Sequence, residues 1–198
     1  VADLLRAGMV TAVACHGATA IHDVELALFG RTSEDVGEGL ATGRFGMVRE
    51  TATFFAEAAR RAVTEGLGLG AALGRLLVER SAPHLRASVL AAAAQTNRPA
   101  TVHVALGTDT VHMLPQADGA QIGAATMRDF RLICAVVCEL GAVQPGAAGG
   151  VWCNIGSAVI LPEVVLKAVA VARNLGASLE GVTTANFDML RHYRPAQN

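Results

Sequence analysis

Aromatic side chains are scarce: one Trp, one Tyr and six Phe, or 4% of 198 residues. A core must therefore be built from Ala, Val and Leu, drawn from a 52% hydrophobic share, which suits helices packed closely on a sheet. Charge of one sign is also lacking. The net charge is −1 and the pI about 6.6. That balance leaves no basic face for nucleic acid and no charged tail. Long apolar runs are missing too. Each is broken by Gly, Pro or charge well short of a spanning helix, and no signal peptide is found, so neither a membrane nor a nucleic acid is an expected partner and the expected location is cytoplasmic. The four cysteines (Cys15, Cys134, Cys138 and Cys153) form no CxxC pair. They read as buried thiols in a reducing compartment, and no zinc site is assigned. Neither GxGxxG nor GxxxxGK[ST] occurs, which removes the two commonest phosphate-loop signatures.

What is present alternates. Residues 1–8 read as the end of a helix closed by Gly8, and residues 9–15 (MVTAVAC) as a strand. His16-Gly17-Ala18 reads as a turn, and a helix runs from Ala20 to Leu28, ended by Gly30. Thr32 to Asp35 reads as a helix start. Helical patterns then fill residues 47–63, 69–82 and 84–95, with the glycines of EGLGLGAALG at a helix–helix junction. A second strand (ATVHVAL, residues 100–106) leads into the loop GTDTVHMLPQADG. A helix over 124–140 is expected to face Arg128, Asp129 and Arg131 outward and Phe130, Ile133, Val137 and Leu140 inward. Residues 142–150 read as a loop, 151–155 as a strand, 164–175 as a helix closed by Gly176, and 179–185 as a fourth strand.

Strands alternating with helices predict a single α/β domain over 1–198 with a Rossmann-like, mostly parallel sheet, helices on both faces and a helical insertion at about 31–97. The opening VADLLRAGMV reads as the middle of a domain, so an N-terminal part is expected to precede it. Ligands of such sheets bind outside the carboxyl ends of the strands. Those ends supply His16, Gly17, His22, Asp23 and Glu25; then Gly107, Thr108, Asp109, His112, Asp118 and Gly119; then Asn154, Gly156, Ser157 and Glu163; then Thr184, Asn186 and Asp188. On one sheet, all four ends converge on one edge.

Each motif has two readings. The Gly156-Ser157 turn offers backbone N–H groups to a phosphate at a helix N-terminus, or is a tight turn needing small residues. Pro162 belongs in a first helical turn, which starts the helix near Leu161. Asp109, His112 and Asp118 share one loop, but two Asp and a His at uneven spacing are common in loops, and no metal is assigned. His22, Asp23 and Glu25 are solvated first-turn groups or ligand groups. Ser157 lacks the GxSxG elbow of a hydrolase. Lys167, four residues past Glu163, reads as its ion-pair partner rather than as an imine-forming lysine.

The order of motifs resembles deoxyhypusine synthase. MVTAVACHGATAIHDVELAL, HVALGTDTVHMLPQADG, MRDFRLICAVV, GGVWCNIGSAVILPEVVLKAVAVARNLG and LEGVTTANFD follow that family's sequence of motifs over most of the chain. The resemblance implies a Rossmann-like fold, NAD as cofactor, and a homo-oligomer, by family a tetramer, with sites between subunits. The family's enzymes oxidise spermidine with NAD and carry the aminobutyl group on a lysine as an imine. By position, the resemblance implies NAD contacts at Gly17, Ala18, Asp118, Thr184, Ala185 and Asp188, with Gly119, Gly156 and Ser157 in the cofactor-side turns. His22 and Asp23 stand where the family's acidic residues meet cofactor and amine, and are the expected substrate-binding pair. Glu163 stands where the family has a catalytic histidine. The segment carrying the imine lysine has no counterpart within these residues. The expected activity is therefore an NAD-dependent hydride transfer on a small amine or other polar metabolite, distinct from that of deoxyhypusine synthase. Asp109, His112 and Glu163 are the candidates for proton transfer or substrate binding. The alternatives are a non-catalytic NAD- or nucleotide-binding oligomer and a sugar-phosphate enzyme without NAD.

Overall fold

Alanine sets the spacing of this fold. Ala20, Ala27, Ala58, Ala62, Ala91, Ala92 and Ala93 are fully buried, and residues this small let helices approach closely. The structure is a computed structural model describing residues 1–32, 36–142 and 146–197, with 196 and 197 described by backbone alone. The expected helix start at Thr32–Asp35 lies largely outside the described residues. Two compact units make up the chain, Val1–Asp129 and Phe130–Asn198.

The first unit holds α1 (Ala2–Arg6), β1 (Val13–His16), α2 (Gly17–Phe29), α3 (Val36–Thr42), α4 (Arg49–Glu65), α5 (Leu69–Glu79), a 3-10 turn (Leu85–Ala87), α6 (Val89–Gln95), β2 (Ala100–His103), a second 3-10 turn (Thr110–Met113) and the start of α7 (Gly119–Cys138). The sequence pattern accounts for most of these. In α4, Thr51, Ala52, Phe54, Phe55, Ala58, Ala59 and Ala62 recur at helical spacing and are buried. In α5, Leu69, Leu73, Leu76 and Leu77 do the same. These stripes meet Leu5, Val24, Leu90 and Val102 in one core. The glycine-rich stretch before α5 is the helix junction expected, with Gly68 as N-cap.

Local departures have local causes. The expected turn at His16-Gly17-Ala18 is instead the first turn of α2, because His16 is itself the N-cap, its Nδ1 accepting the Thr19 N–H at 3.4 Å. Residues 84–95 are not one helix. Ser88, with its hydroxyl accepting the Ala91 N–H at 2.9 Å, starts α6 afresh after the 3-10 turn.

The second unit continues α7 and adds β3 (Val151–Ile155), α8 (Ile160–Asn174), β4 (Thr183–Phe187) and α9 (Tyr193–Gln197). Pro162 lies in the first turn of α8, as its missing N–H requires. Ile133, Val137, Leu161, Ala168 and Ala172 are buried. Cys153, on β3, is exposed, so the reading of all four cysteines as buried thiols is corrected there; Cys134 is buried, and Cys15 and Cys138 are half-buried.

The chain is α/β, but among the described residues the strands form two separate pairs rather than a single sheet. β1 pairs in parallel with β2 (Val13 opposite Ala100, His16 opposite His103), and β3 pairs in parallel with β4 (Val151 opposite Thr183, Ile155 opposite Phe187). The expected mostly parallel sheet is therefore corrected to two parallel pairs. The outer edge of β2 shows a physical reason. Side chains of α7 take the hydrogen bonds that a further strand would make. The Val102 N–H donates to Asp129 Oδ2 (2.8 Å), Thr126 Oγ1 donates to the Val102 carbonyl (2.8 Å), and the Val104 N–H donates to Thr126 Oγ1 (3.1 Å). Asp129, expected to face solvent, is thus fully buried. Arg128 is half-buried, its guanidinium donating to the Ala62 and Leu67 carbonyls, while Arg131 is exposed as expected.

Candidate functional site

The parallel pairing of β1 with β2 brings two histidines side by side at the carboxyl ends of both strands. His103 is buried. Its Nε2 lies 3.0 Å from Thr101 Oγ1, and that hydroxyl donates to the Val13 carbonyl at 3.5 Å. The oxygen is then free to accept, which assigns the imidazole proton to Nε2. Burial pushes the His103 pKa down to about 4, so the ring is neutral at physiological pH. His16, its neighbour, caps α2.

The loop after β2 returns to the same place. Asp109 is the N-cap of the 3-10 turn and forms a reciprocal box with His112: the Asp109 carboxylate accepts the His112 N–H, and His112 Nδ1 accepts the Asp109 N–H at 3.3 Å. The Gly107 N–H donates to the same Nδ1 at 3.2 Å. With Nδ1 an acceptor twice over, the neutral ring carries its proton on Nε2. The Asp109 carboxylate lies against the backbone of Gly17, so closely that a Cβ at residue 17 would fall inside it. Burial raises the Asp109 pKa, opposed by the charges of His112 and His16 and by the Thr108 hydroxyl. A half-buried carboxyl between two imidazoles is a proton donor–acceptor set.

The remaining expected residues of this unit divide. Gly17 and Ala18 form the first turn of α2, with Gly17 under Asp109. His22 is exposed. Asp23, expected to bind substrate, has both oxygens occupied by α6: Ser88 Oγ donates at 2.6 Å, the Val89 N–H at 2.7 Å and the Leu90 N–H at 3.1 Å. Glu25 is buried and accepts from Thr51 Oγ1 at 3.2 Å. Asp118 caps α7, its Oδ1 accepting the Ala120 and Gln121 N–H groups. Asp118 and Gly119 line an open cavity of about 790 Å³, with Thr53, Glu57 and Arg60 of α4 on its other wall.

The second unit gathers its own set. Asn154 Nδ2 donates to Asn186 Oδ1 (2.6 Å) and to the Ser157 carbonyl (2.9 Å), tying the carboxyl ends of β3 and β4 together. Ser157 Oγ accepts the Leu161 N–H at 3.2 Å, and the Gly156 N–H donates to the Phe187 carbonyl. Glu163 is ion-paired with Lys167, as its spacing predicts, and with Arg194 of α9. Thr184 is exposed, Ala185 is half-buried, and Asp188 accepts the Leu190 N–H with His192 3.9 Å away.

The expected convergence of four strand ends on one edge is therefore corrected to two clusters, one in each unit: His16, Gly17, Asp109 and His112, and Asn154, Gly156, Ser157 and Asn186. His103 and Thr101 carry no loop or turn signature, and sequence reasoning missed both. A comparison with protein-family models, curated proteins and solved structures finds no match.

The residues that the resemblance assigns to NAD fit it unequally. Gly17 leaves no room for a phosphate, because the Asp109 carboxylate already lies against it and an anion there meets like charge. Gly156 is different. Its φ of +63° suits glycine, and nothing stands within 4 Å of where a Cβ would be. Space is open beside this turn, although the Gly156 N–H is itself taken by the Phe187 carbonyl.

Proposed function

We propose that this chain is a deoxyhypusine-synthase-like enzyme that acts on a small amine or other polar metabolite by hydride transfer, with an activity distinct from deoxyhypusine synthase. The observation that carries the proposal is the Asp109–His112 box seated at the first turn of α2, beside His16. In this reading Asp109 accepts the proton that leaves a substrate nitrogen or oxygen while the neighbouring C–H bond is oxidised. Its raised pKa suits a group that must both take and return a proton. His112 presents Nε2–H to the substrate's polar atom. NAD, when bound, would supply the hydride acceptor; it enters through the resemblance. Glu163 takes no proton-transfer role here, because Lys167 and Arg194 hold its oxygens. A homotetramer accompanies the resemblance and is proposed with it, and the cytoplasmic location expected from the sequence is proposed beside it. Among the described residues, no helix is long and apolar enough to cross a membrane.

The open turn at Gly156 also favours a second reading, a sugar-phosphate enzyme without NAD. One experiment separates them. The purified protein is denatured and its supernatant searched for NAD or NADH by mass spectrometry, with calorimetric titration of NAD and of inorganic phosphate as the follow-up. Released or micromolar-binding NAD supports the first reading. Phosphate binding without NAD binding supports the second. Asp109→Asn is expected to abolish turnover while leaving the fold intact, and full activity in that variant removes the Asp109–His112 box from the site.

A further inference from the structure

The open cavity of about 790 Å³ between α4 and the start of α7 has no part in the proposed chemistry, and every residue lining it belongs to the first unit. Its charges are unevenly settled. Glu57 is ion-paired with Arg80, which does not line the cavity. Arg61, next on α4, is held by Glu65 and Glu79. Arg60 lines the cavity, is exposed, and has neither an ion pair nor a hydrogen bond among the described residues. On the facing wall, Asp118 gives Oδ1 to the Ala120 and Gln121 N–H groups, while its Oδ2 has no partner among the described residues. Asp118 thus already serves the start of α7, so the helix end is not the anchor of a ligand here. The side-chain amides of Gln116 and Gln121 also line the cavity and make no hydrogen bond among the described residues.

We propose that this cavity binds a small amino carboxylate, with its carboxylate on the Arg60 guanidinium and its ammonium on Asp118 Oδ2. The balance of charge selects that class. With Glu57 neutralised by Arg80, the walls hold one unpaired cation and one carboxylate. A phosphate or a dinucleotide brings more negative charge than one guanidinium can match and meets Asp118 as a like charge. An amine without a carboxylate leaves Arg60 unmatched. A molecule carrying one charge of each sign finds a partner for both. The planar fork of a guanidinium fits a carboxylate in two parallel hydrogen bonds, and the free amides of Gln116 and Gln121 supply further donors and acceptors. The cavity's size falls in the range of small-molecule sites, about 300–1,000 Å³. Asp118 stays ionised and exchanges no proton, so the site recognises a ligand without adding a second catalytic centre. It stands independently of the hydride-transfer reading.

Direct binding to the purified protein tests this without any turnover assay. Glycine, L-alanine, β-alanine and L-glutamine are titrated by calorimetry, beside acetate, methylamine and inorganic phosphate, which each lack one of the two charges. At least one amino carboxylate is expected to bind with a dissociation constant of about 1 mM or tighter, and about tenfold or more tightly than acetate, methylamine or phosphate. Arg60→Gln, and Asp118→Asn, which keeps the capping oxygen, are each expected to weaken that binding about tenfold or more. Arg75→Gln, at an exposed arginine of α5 outside the cavity, is expected to leave it unchanged. Weaker binding by all four amino carboxylates, equal binding of acetate or phosphate, or full affinity in the Arg60→Gln protein overturns the proposal. If a variant does not fold, the comparison with acetate and methylamine on the wild type decides alone.

Discussion

Asp23 separates a structural role from a functional one with a single substitution. It reads as a substrate group in the sequence, but its carboxylate accepts from Ser88 Oγ and from the Val89 and Leu90 N–H groups, the first donors of α6. Ser88 is fully buried and Leu90 is 1% exposed, so water cannot replace the lost acceptor well. A hydrogen bond to a charged group contributes about 1.5–3 kcal/mol, and loss of a helix N-cap costs about 1 kcal/mol. The three bonds share one carboxylate and do not add in full. Asp23→Ala is therefore expected to lower stability by about 3–4 kcal/mol, and Asp23→Asn, which keeps one acceptor oxygen, by about 1–2 kcal/mol. Equilibrium unfolding in urea reads this directly. With a slope of about 2 kcal/mol/M, the Ala variant's midpoint falls by roughly 1.5–2 M. An Ala variant within about 0.5 kcal/mol of wild type refutes the capping argument. If that variant also lost ligand, Asp23 would return to the site.

Other outcomes follow from the same structure. Gly17→Ala places a methyl inside the Asp109 carboxylate and must displace it, so we expect a loss of about 1–3 kcal/mol in thermal unfolding and a marked loss of turnover; an unchanged variant refutes the close packing of Asp109 on α2. His103 has its pKa lowered to about 4 in the fold, against 6.5 ordinarily, so the unfolded chain binds more protons between those values and the His103 contribution to stability, about 3 kcal/mol, is lost as pH falls from 6.5 to 4. His103→Gln removes that dependence, which unfolding midpoints across this pH range will show. Phe54→Ala empties a fully buried site in α4 and is expected to cost about 3–5 kcal/mol by urea unfolding; a cost under about 1 kcal/mol contradicts the packing described.

Elements whose cause is local were legible in the sequence. Val151–Ile155 is legible as a strand with its observed ends, and α4 and α5 are legible as helical patterns. The Glu163–Lys167 pair is legible in its i,i+4 spacing, and the place of Pro162 in its missing N–H. The break at Ser88 was also legible: a serine before an apolar run is an N-cap signal, outweighed by the helical look of the whole segment. Pairing and edge protection were not. Nothing near Asp129 in sequence marks it for burial, because its partners are Gly70 and Val102, 59 and 27 residues away. Nothing in ATVHVAL shows that the far side of β2 will be served by helix side chains instead of a strand. His103 was missed for the same reason, since alternation along a strand does not distinguish a buried histidine from an exposed one.

The aspartates carry the general point. Asp23, Asp118 and Asp129 each give their oxygens to backbone N–H groups at the start of a helix, α6, α7 and α5 respectively. Asp109 differs. It caps only a short 3-10 turn, and two imidazoles act on it. In sequence Asp23, Asp109 and Asp118 are acids near Gly or His that invite a ligand role, while Asp129 reads as an outward-facing helix residue. In the structure three are engaged by a helix start, which needs a fixed acceptor and gains nothing from exchanging a proton for a substrate. A carboxyl used in proton transfer needs an exchangeable partner instead, and histidine supplies one. Asp109 is the acid among these four that has it, and this is why the site is assigned to the β1–β2 end of the first unit.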